Sequence, residues 1–407
     1  MCQPLPTNDF QWEESNYNWR NPPNNRGCIL EVDLEYTNNL KFKTVNFPLA
    51  PEKLNIHKSE LSDYQLDILK VETKKVGNVA KLILNLKNKN KYIIHHKLLK
   101  YYEELGLKVS KVHRVISFNQ DAWLKKYIDF NTNERTKAKS DFEKDLWKLM
   151  NNAFYGKTME NIRGRVNLKL TMNPDEALKL FSKPNFKSVI PFKDNLIAVL
   201  NNIPSIKFDK PIYLGMCILD YSKLLMYDFY YETINNLWNK NEIVGFDTDS
   251  FFLNIETNDI YKDMEKIIHD LDTSAYPNNS SLYSSKNKKV IGKFKDELNG
   301  KLMSELVFLR SKAYAYKTID EEYEKKLKGI SRATIKKNVT FEEYKNSILK
   351  PYTNILTKEV YSLNSFNHKM FVKMTNKKAI SPFDDKRYIL DNAIETFPFG
   401  YEELYFT

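Results

Sequence analysis

Cysteine is scarce in this chain of 407 residues: Cys2, Cys28 and Cys217 lie far apart and are odd in number. That spacing excludes a disulfide framework and a cysteine-rich zinc module, and it fits an intracellular, reducing compartment. The histidines form no HxxxH pair. His95 and His96 are adjacent, and adjacent strand residues point to opposite faces, which argues against chelation by both. No glycine-rich phosphate loop occurs, which weakens P-loop and dinucleotide-binding readings. No apolar run reaches about 18 residues, so no membrane-spanning helix and no membrane partner are expected. The opening MCQPLPTNDFQW is polar and proline-bearing, unlike a signal peptide. It also lacks an obvious domain start, so the chain reads as part of something longer. There is no internal repeat.

What is present is apolar residue enough for a sizeable core, 42% of the chain, which excludes a disordered composition. The length suggests two to three domains or one large multi-lobed body. The net charge of +11 favours a polyanionic partner. Aromatic residues beside lysine can stack on bases, although most belong in a core.

Patterning predicts a half-buried strand over 28–36 (CILEVDLEY), with Glu31, Asp33 and Glu35 on one face. Residues 79–86 and 91–95 look like a hairpin pair. A short helix is expected over 98–107 with Gly106 as its stop signal, and a strand over 111–118. The pattern turns helical from about 121 to 165. Residues 210–238 start extended and become a long helix, and 278–289 form a polar loop. Strands follow near 289–295 and 305–317, and a helix over 341–349.

Two stretches carry chemistry. In VGFDTDSFF (244–252), Asp247 and Asp249 share one face and can aim at one point from a tight turn held by apolar flanks. Two carboxylates side by side repel unless a cation neutralises them, and converging oxygen ligands suit Mg²⁺ or Mn²⁺. The plainer alternative is an Asx turn joining two strands without metal. A DxD after an apolar strand also serves nucleotide-sugar glycosyltransferases.

The second stretch is SDFEKDLWKLMNNAFYGKTMENIRGR (140–165). Ser140 followed by Glu143 is a capping box that marks a helix start. Phe142, Leu146, Leu149, Met150 and Ala153 fall on one face at helical spacing, and Lys148, Asn152 and Tyr155 fall on the opposite one. A cation, an amide and a ring on one face are the groups that grip a triphosphate and pack on a sugar or base. The plainer alternative is an ordinary amphipathic helix with a solvated polar face. This face, and the lack of an N-terminal βαβ nucleotide unit, argue against the glycosyltransferase.

At this point the residues resemble family B DNA polymerases. KLMNNAFYGK (148–157) resembles the fingers motif Kx₃NSxYG, and FDTDS (246–250) resembles the palm motif YxDTDS, in the expected order. LRSKAYAYK (309–317) resembles the KxY motif, and KLKGISRATIKKNVTFEEY (326–344) resembles the start of a thumb. The likeness is strongest to protein-primed polymerases of Maverick/Polinton-type mobile elements and their viral relatives. It implies an α+β right-hand fold: palm strands and an insertion over 1–120, fingers over 121–165, a second insertion and catalytic palm over 166–310, and a primer-contacting region with thumb over 311–407. It implies insertions around 60–120 and 165–210. Asp249 would be the principal metal ligand, with Asp247 supporting metal or primer-end geometry. Lys148 and Asn152 would hold the triphosphate, and Tyr155 would pack near the nascent pair. Gly156, Lys312 and Tyr314 would contact DNA. The implied partners are template and primer DNA, a deoxynucleoside triphosphate and a terminal priming protein, with a nuclear location if a host genome encodes the chain. Ala153 and Phe246 depart from the family's usual Ser and Tyr, and neither position supplies a metal ligand.

The first palm motif, DxxxLY, is absent, as are exonuclease motifs. MCQPLP resembles the sequence just after DxxxLY, so its aspartate is expected upstream of Met1. Asp33 in EVDLEY lacks the LY partner and reads as structural. Nucleotidyl transfer needs ligands from two strands to fix both ions, so the chain alone is expected to be a weak or inactive polymerase. A non-enzymatic DNA-binding remnant of a mobile element is the alternative.

Overall fold

The computed structural model describes residues 1–401 except 15, 73–76, 78, 193–194, 353–355 and 367–368. Its centre is an antiparallel sheet of four strands, β1 (Gln11–Glu13), β2 (Gly27–Glu35), β3 (Lys89–His95) and β4 (Lys108–Phe118), in the order β1-β4-β2-β3. Strand β2 forms because its side chains alternate: Cys28, Leu30, Val32 and Leu34 are buried, while Ile29, Glu31 and Asp33 lie on the other, half-buried face. Helix α1 (His96–Leu105) stops at Gly106, whose φ of 111° lies in the left-handed region that favours glycine.

The expected hairpin between 79–86 and 91–95 does not form. Residues Lys81–Ile83 pair with Glu52–Leu54, and β3 pairs with β2. Two tertiary ties divert the link: the Asn88 side chain accepts the Tyr36 N–H at the end of β2, and Leu86 N–H donates to Phe399 O. The longer apolar strand β2 is the better partner for β3.

Helices α2 (Lys125–Lys137) and α3 (Asp141–Thr158) follow as an antiparallel pair, matching the helical stretch read from the sequence. Next comes a small sheet of β5 (Asn167–Thr171), β6 (Phe186–Pro191) and β7 (Ile197–Asn201). Helix α4 (Ile212–Asp228) begins directly after Pro211, so the extended lead expected from residue 210 is shorter than read. It runs on through a π-helical segment, Phe229–Ile234. Strands β8 (Asn241–Phe246) and β9 (Phe251–Ile255) make a hairpin. Strands β10 (Met303–Arg310), β11 (Ala313–Thr318) and β12 (Tyr323–Leu327) make a three-stranded antiparallel sheet. Helix α5 (Phe341–Leu349) starts with a Thr340–Glu343 capping box and precedes a long hairpin, β13 (Leu356–Phe366) and β14 (Lys369–Ile380).

The largest core joins β2, β3, α1, the end of α4 and its π-helical continuation, and hairpin β8–β9 packs on it through Phe246 and Phe251. A second core supports α3 on the first half of α4, and a third joins β11, α5 and the long hairpin. Among the described residues no helix is long and apolar enough to cross a membrane.

Candidate functional site

Asp247 and Asp249 sit in the turn between β8 and β9, bracketed by the cross-strand pair Phe246–Phe251. Asp247 N–H donates to Ser250 O at 3.0 Å and Asp249 N–H to Asp247 O at 2.8 Å, with Thr248 at a positive φ of 67°. Asp247 is half-buried and Asp249 exposed. Water therefore solvates much of the charge that a buried strand would have left bare. Among the described residues neither carboxylate meets a lysine or arginine at ion-pair distance.

The turn is set against β10–β11. The register of β8 and β9 shifts between Ile243 and Gly245, and a Cβ at Gly245 would lie 2.5 Å from ring carbons of Phe308. Only glycine allows that ring to lie against the β8 backbone. Ser311 Oγ donates to Phe246 O at 3.1 Å. Phe252 packs on Tyr314 with ring centroids 4.8 Å apart, and Tyr314 stacks on Phe308. Burial and then the negative charge of Asp247 push the Tyr314 hydroxyl pKa up. Tyr314 is thus packed on the hairpin that carries the aspartates, through Phe252, with Lys312 exposed in the β10–β11 turn at a φ of 64°.

Lys148 and Asn152 are exposed on α3, and Tyr155 is half-buried in the core formed with Leu214, Cys217, Ile218 and Tyr221 of α4. Burial raises the Tyr155 hydroxyl pKa. The capping box forms as expected, each group 3.2 Å from its partner. Gly215 lets the base of α3 approach α4: a Cβ there would lie 2.2 Å from Met159 Sδ. Gly156 faces open space and constrains nothing nearby.

The apolar face expected to turn inward does not. Phe142, Leu146, Leu149 and Met150 are exposed, Phe142 by 78%. α3 meets α2 instead through Asn131–Asn151, at 2.9 Å, and Phe130–Trp147. A buried amide pair and aromatic edges outcompete the aliphatic stripe, because each buried amide needs a partner that only the neighbouring helix supplies.

The two groups share a support. Tyr155 rests on the first half of α4, and the aspartate turn rests on its π-helical continuation through the Tyr230–Phe251 contact. These footings are about 13 residues apart, on the order of 20 Å along a helix. No hydrogen bond or ion pair among the described residues joins Lys148 to Asp249. Asp33 belongs elsewhere: its carboxylate accepts the Lys91 N–H at 2.7 Å and lies 2.8 Å from His113 Nε2, and those contacts lower its pKa. Those contacts hold it within the four-stranded sheet. Among the described residues no group of three or more His, Cys, Asp or Glu side chains gathers as a metal cluster.

Sequence reasoning missed Gly245 and Ser311. A lone glycine inside an apolar strand was a usable signal of close approach; Ser311 carried none.

No family model matches this sequence, and no curated protein matches it. Solved structures do. The chain is similar to Phi29 DNA polymerase complexed with primer-template DNA and incoming nucleotide substrates, at a TM-score of 0.55 and 15% identity over 93% of this chain and 55% of that one. It is similar to the post-translocation binary complex of the same polymerase with primer-template DNA, at a TM-score of 0.53 and 14% identity over the same shares. The chain spans about half the length of that polymerase. The likeness is one of fold: this protein has a mixed α/β, DNA polymerase-like fold.

Proposed function

We propose that this chain is the polymerising portion of a DNA-directed DNA polymerase of the protein-primed family B type. It would add deoxynucleotides to a primer hydroxyl opposite a template, releasing pyrophosphate. The observation that carries the reading is the aspartate turn seated against the β10–β11 turn, with Ser311 Oγ bonded to Phe246 O and Phe252 packed on Tyr314. That pairing brings a palm-like motif and a KxY-like motif together within a polymerase-like fold.

In this reading Asp249 and Asp247 hold Mg²⁺ or Mn²⁺. The donor set fits: hard divalent cations take one or two carboxylates and complete their shell with phosphate oxygens and water. The bound ion supplies charge neutralisation for the attacking and leaving oxygens. Lys148 neutralises the incoming triphosphate, Asn152 donates hydrogen bonds to it, and Tyr155 packs beneath the nascent pair. Lys312 and Tyr314 steady the primer backbone. The long β13–β14 hairpin serves as the thumb, α2 and α3 as the fingers, and a terminal priming protein supplies the first hydroxyl. With two carboxylates in the turn, turnover by this chain is weak.

One observation favours a second reading, a non-enzymatic DNA-binding remnant: no third carboxylate joins the turn among the described residues. Primer extension with Mn²⁺ separates the two. The first predicts slow, template-directed incorporation that Asp249→Asn abolishes and Asp33→Asn leaves intact. DNA binding without incorporation selects the second, and incorporation independent of Asp249 refutes the site.

A further inference from the structure

Residues 47–51, Phe-Pro-Leu-Ala-Pro, form a buried segment with no regular secondary structure. Such a segment must find hydrogen-bond partners for its carbonyls away from water. Here tyrosine hydroxyls supply them. Tyr231 donates to Phe47 O at 2.5 Å, Tyr227 to Pro48 O at 2.7 Å, Tyr36 to Leu49 O at 2.9 Å and Tyr92 to Pro51 O at 3.0 Å. The donors come from the end of β2, from β3, from α4 and from its π-helical continuation, so the segment is tied to four elements of the main core. Ala50 is held at a φ of 52°, a conformation that persists only when surroundings dictate it.

The segment delivers one ring. Phe47 lies with its centroid 5.6 Å from Phe246 and 5.3 Å from Phe251, edge-on to both, and 4.5 Å from Tyr227. Phe246 and Phe251 are the opposed pair that closes the hairpin immediately before and after the aspartates. Above that pair the turn is held by its own backbone bonds, Asp247 N–H to Ser250 O and Asp249 N–H to Asp247 O. Neither aspartate side chain has a hydrogen-bond or ion-pair partner among the described residues, and Thr248 adds backbone strain. The backbone bonds of the turn and the Ser311 tie to Phe246 O hold its shape, and the Phe246–Phe251 pair beneath it takes its seat from Phe47.

We propose that Phe47, fixed by the tyrosine hydroxyls, is a positioning residue that holds the Asp247–Asp249 turn in register. The coupling stands on packing alone; its effect on nucleotide transfer rests on the polymerase reading above. A misplacement of about 1 Å at a reacting centre costs on the order of a hundredfold in rate. Loss of the buttress therefore lowers kcat and, because the same turn would hold the ion the nucleotide needs, raises KM for the nucleotide as well.

The test uses the full chain and four variants. Phe47→Leu shrinks the buttress. Tyr227→Phe with Tyr231→Phe removes two of its ties and keeps the rings, and Tyr231→Phe alone is the milder version. Tyr344→Phe is the control: it loses a buried donor to Lys326 O, at 2.9 Å, in a different core. Hydrogen exchange of residues 243–255, read by mass spectrometry, should accelerate about tenfold or more in the first two variants, less in the third, and not in the control. Unchanged exchange in Phe47→Leu and in folded Tyr231→Phe overturns the proposal, even if templated synthesis is intact. Accelerated exchange in a protein that never incorporates nucleotides leaves the positioning in place and removes the polymerase reading instead.

Discussion

Gly245→Ala is the substitution whose effect follows most directly from the geometry around the aspartates. The new Cβ would stand 2.5 Å from Cγ, Cδ1 and Cδ2 of Phe308. Carbon atoms rest about 3.5–4.0 Å apart, so the ring must retreat by more than about 1 Å. It has little room, because Phe308 is stacked on Tyr314 and packed beside Phe252. Overpacking of this kind costs about 1–3 kcal/mol. Gly245 is not in the left-handed region, so alanine adds no backbone penalty and recovers about 0.4–1 kcal/mol from a stiffer unfolded chain. The net expectation is a loss of about 1–2 kcal/mol by urea denaturation. Phe308→Leu frees space under the new methyl, so the double variant should be less destabilised than the two single losses together. The coupling should be about 1 kcal/mol or more. Strict additivity would refute the contact, and with it the claim that β8 and β10 hold the two motifs together. Activity should fall as well, because a displaced Phe308 shifts Tyr314, which packs on Phe252 of the aspartate hairpin.

Two other outcomes follow from single groups. Lys312→Gly removes a non-glycine residue from a φ of 64° and should stabilise the fold by roughly 0.5–1 kcal/mol; the same change should weaken DNA binding and flatten its salt dependence by about one phosphate contact, so equal affinity at all salt concentrations would remove Lys312 from the interface. Stability should also decline on acidification: burial, and then the Lys97 charge, push His96 from 6.5 down to about 4, so the unfolded chain binds more protons between those values and stability is lost as pH falls through that window, on the order of 3 kcal/mol at its acid end. His95 is shifted the same way, while burial raises the Asp220 carboxyl, which opposes the trend as that carboxyl takes up its proton. Urea midpoints at pH 7.5, 6 and 5 should fall in order, and His96→Gln should reduce the slope.

Local signals were legible in the sequence and distant ones were not. The Ser140–Glu143 box, the Gly106 stop, the alternation in 28–36 and the start of α5 each depend on a few neighbouring residues, and each formed where expected. The partner of 91–95 was misread because strand pairing is decided by tertiary ties such as Asn88 to Tyr36 N–H, which no local pattern encodes. The inward face of α3 was misread because periodicity reports where apolar residues fall and not which neighbour arrives; α2 brought Asn131 and Phe130. The aspartate turn was legible as a turn. Its footing on Phe47 was not, because the ring and the hairpin are far apart in sequence and joined only by packing.

Polymerisation at this site requires Lys148 and Asp249 to act on one nucleotide. Equilibrium binding of a deoxynucleoside triphosphate to the chain and primer-template DNA, with and without Mn²⁺, measures this without requiring turnover. Binding should need Mn²⁺, should fall about tenfold or more in both Lys148→Ala and Asp249→Asn, and should fall little further in the double variant, because each group loses its target when the other is gone. Nucleotide affinity that ignores Mn²⁺, or two losses that simply add, would contradict it.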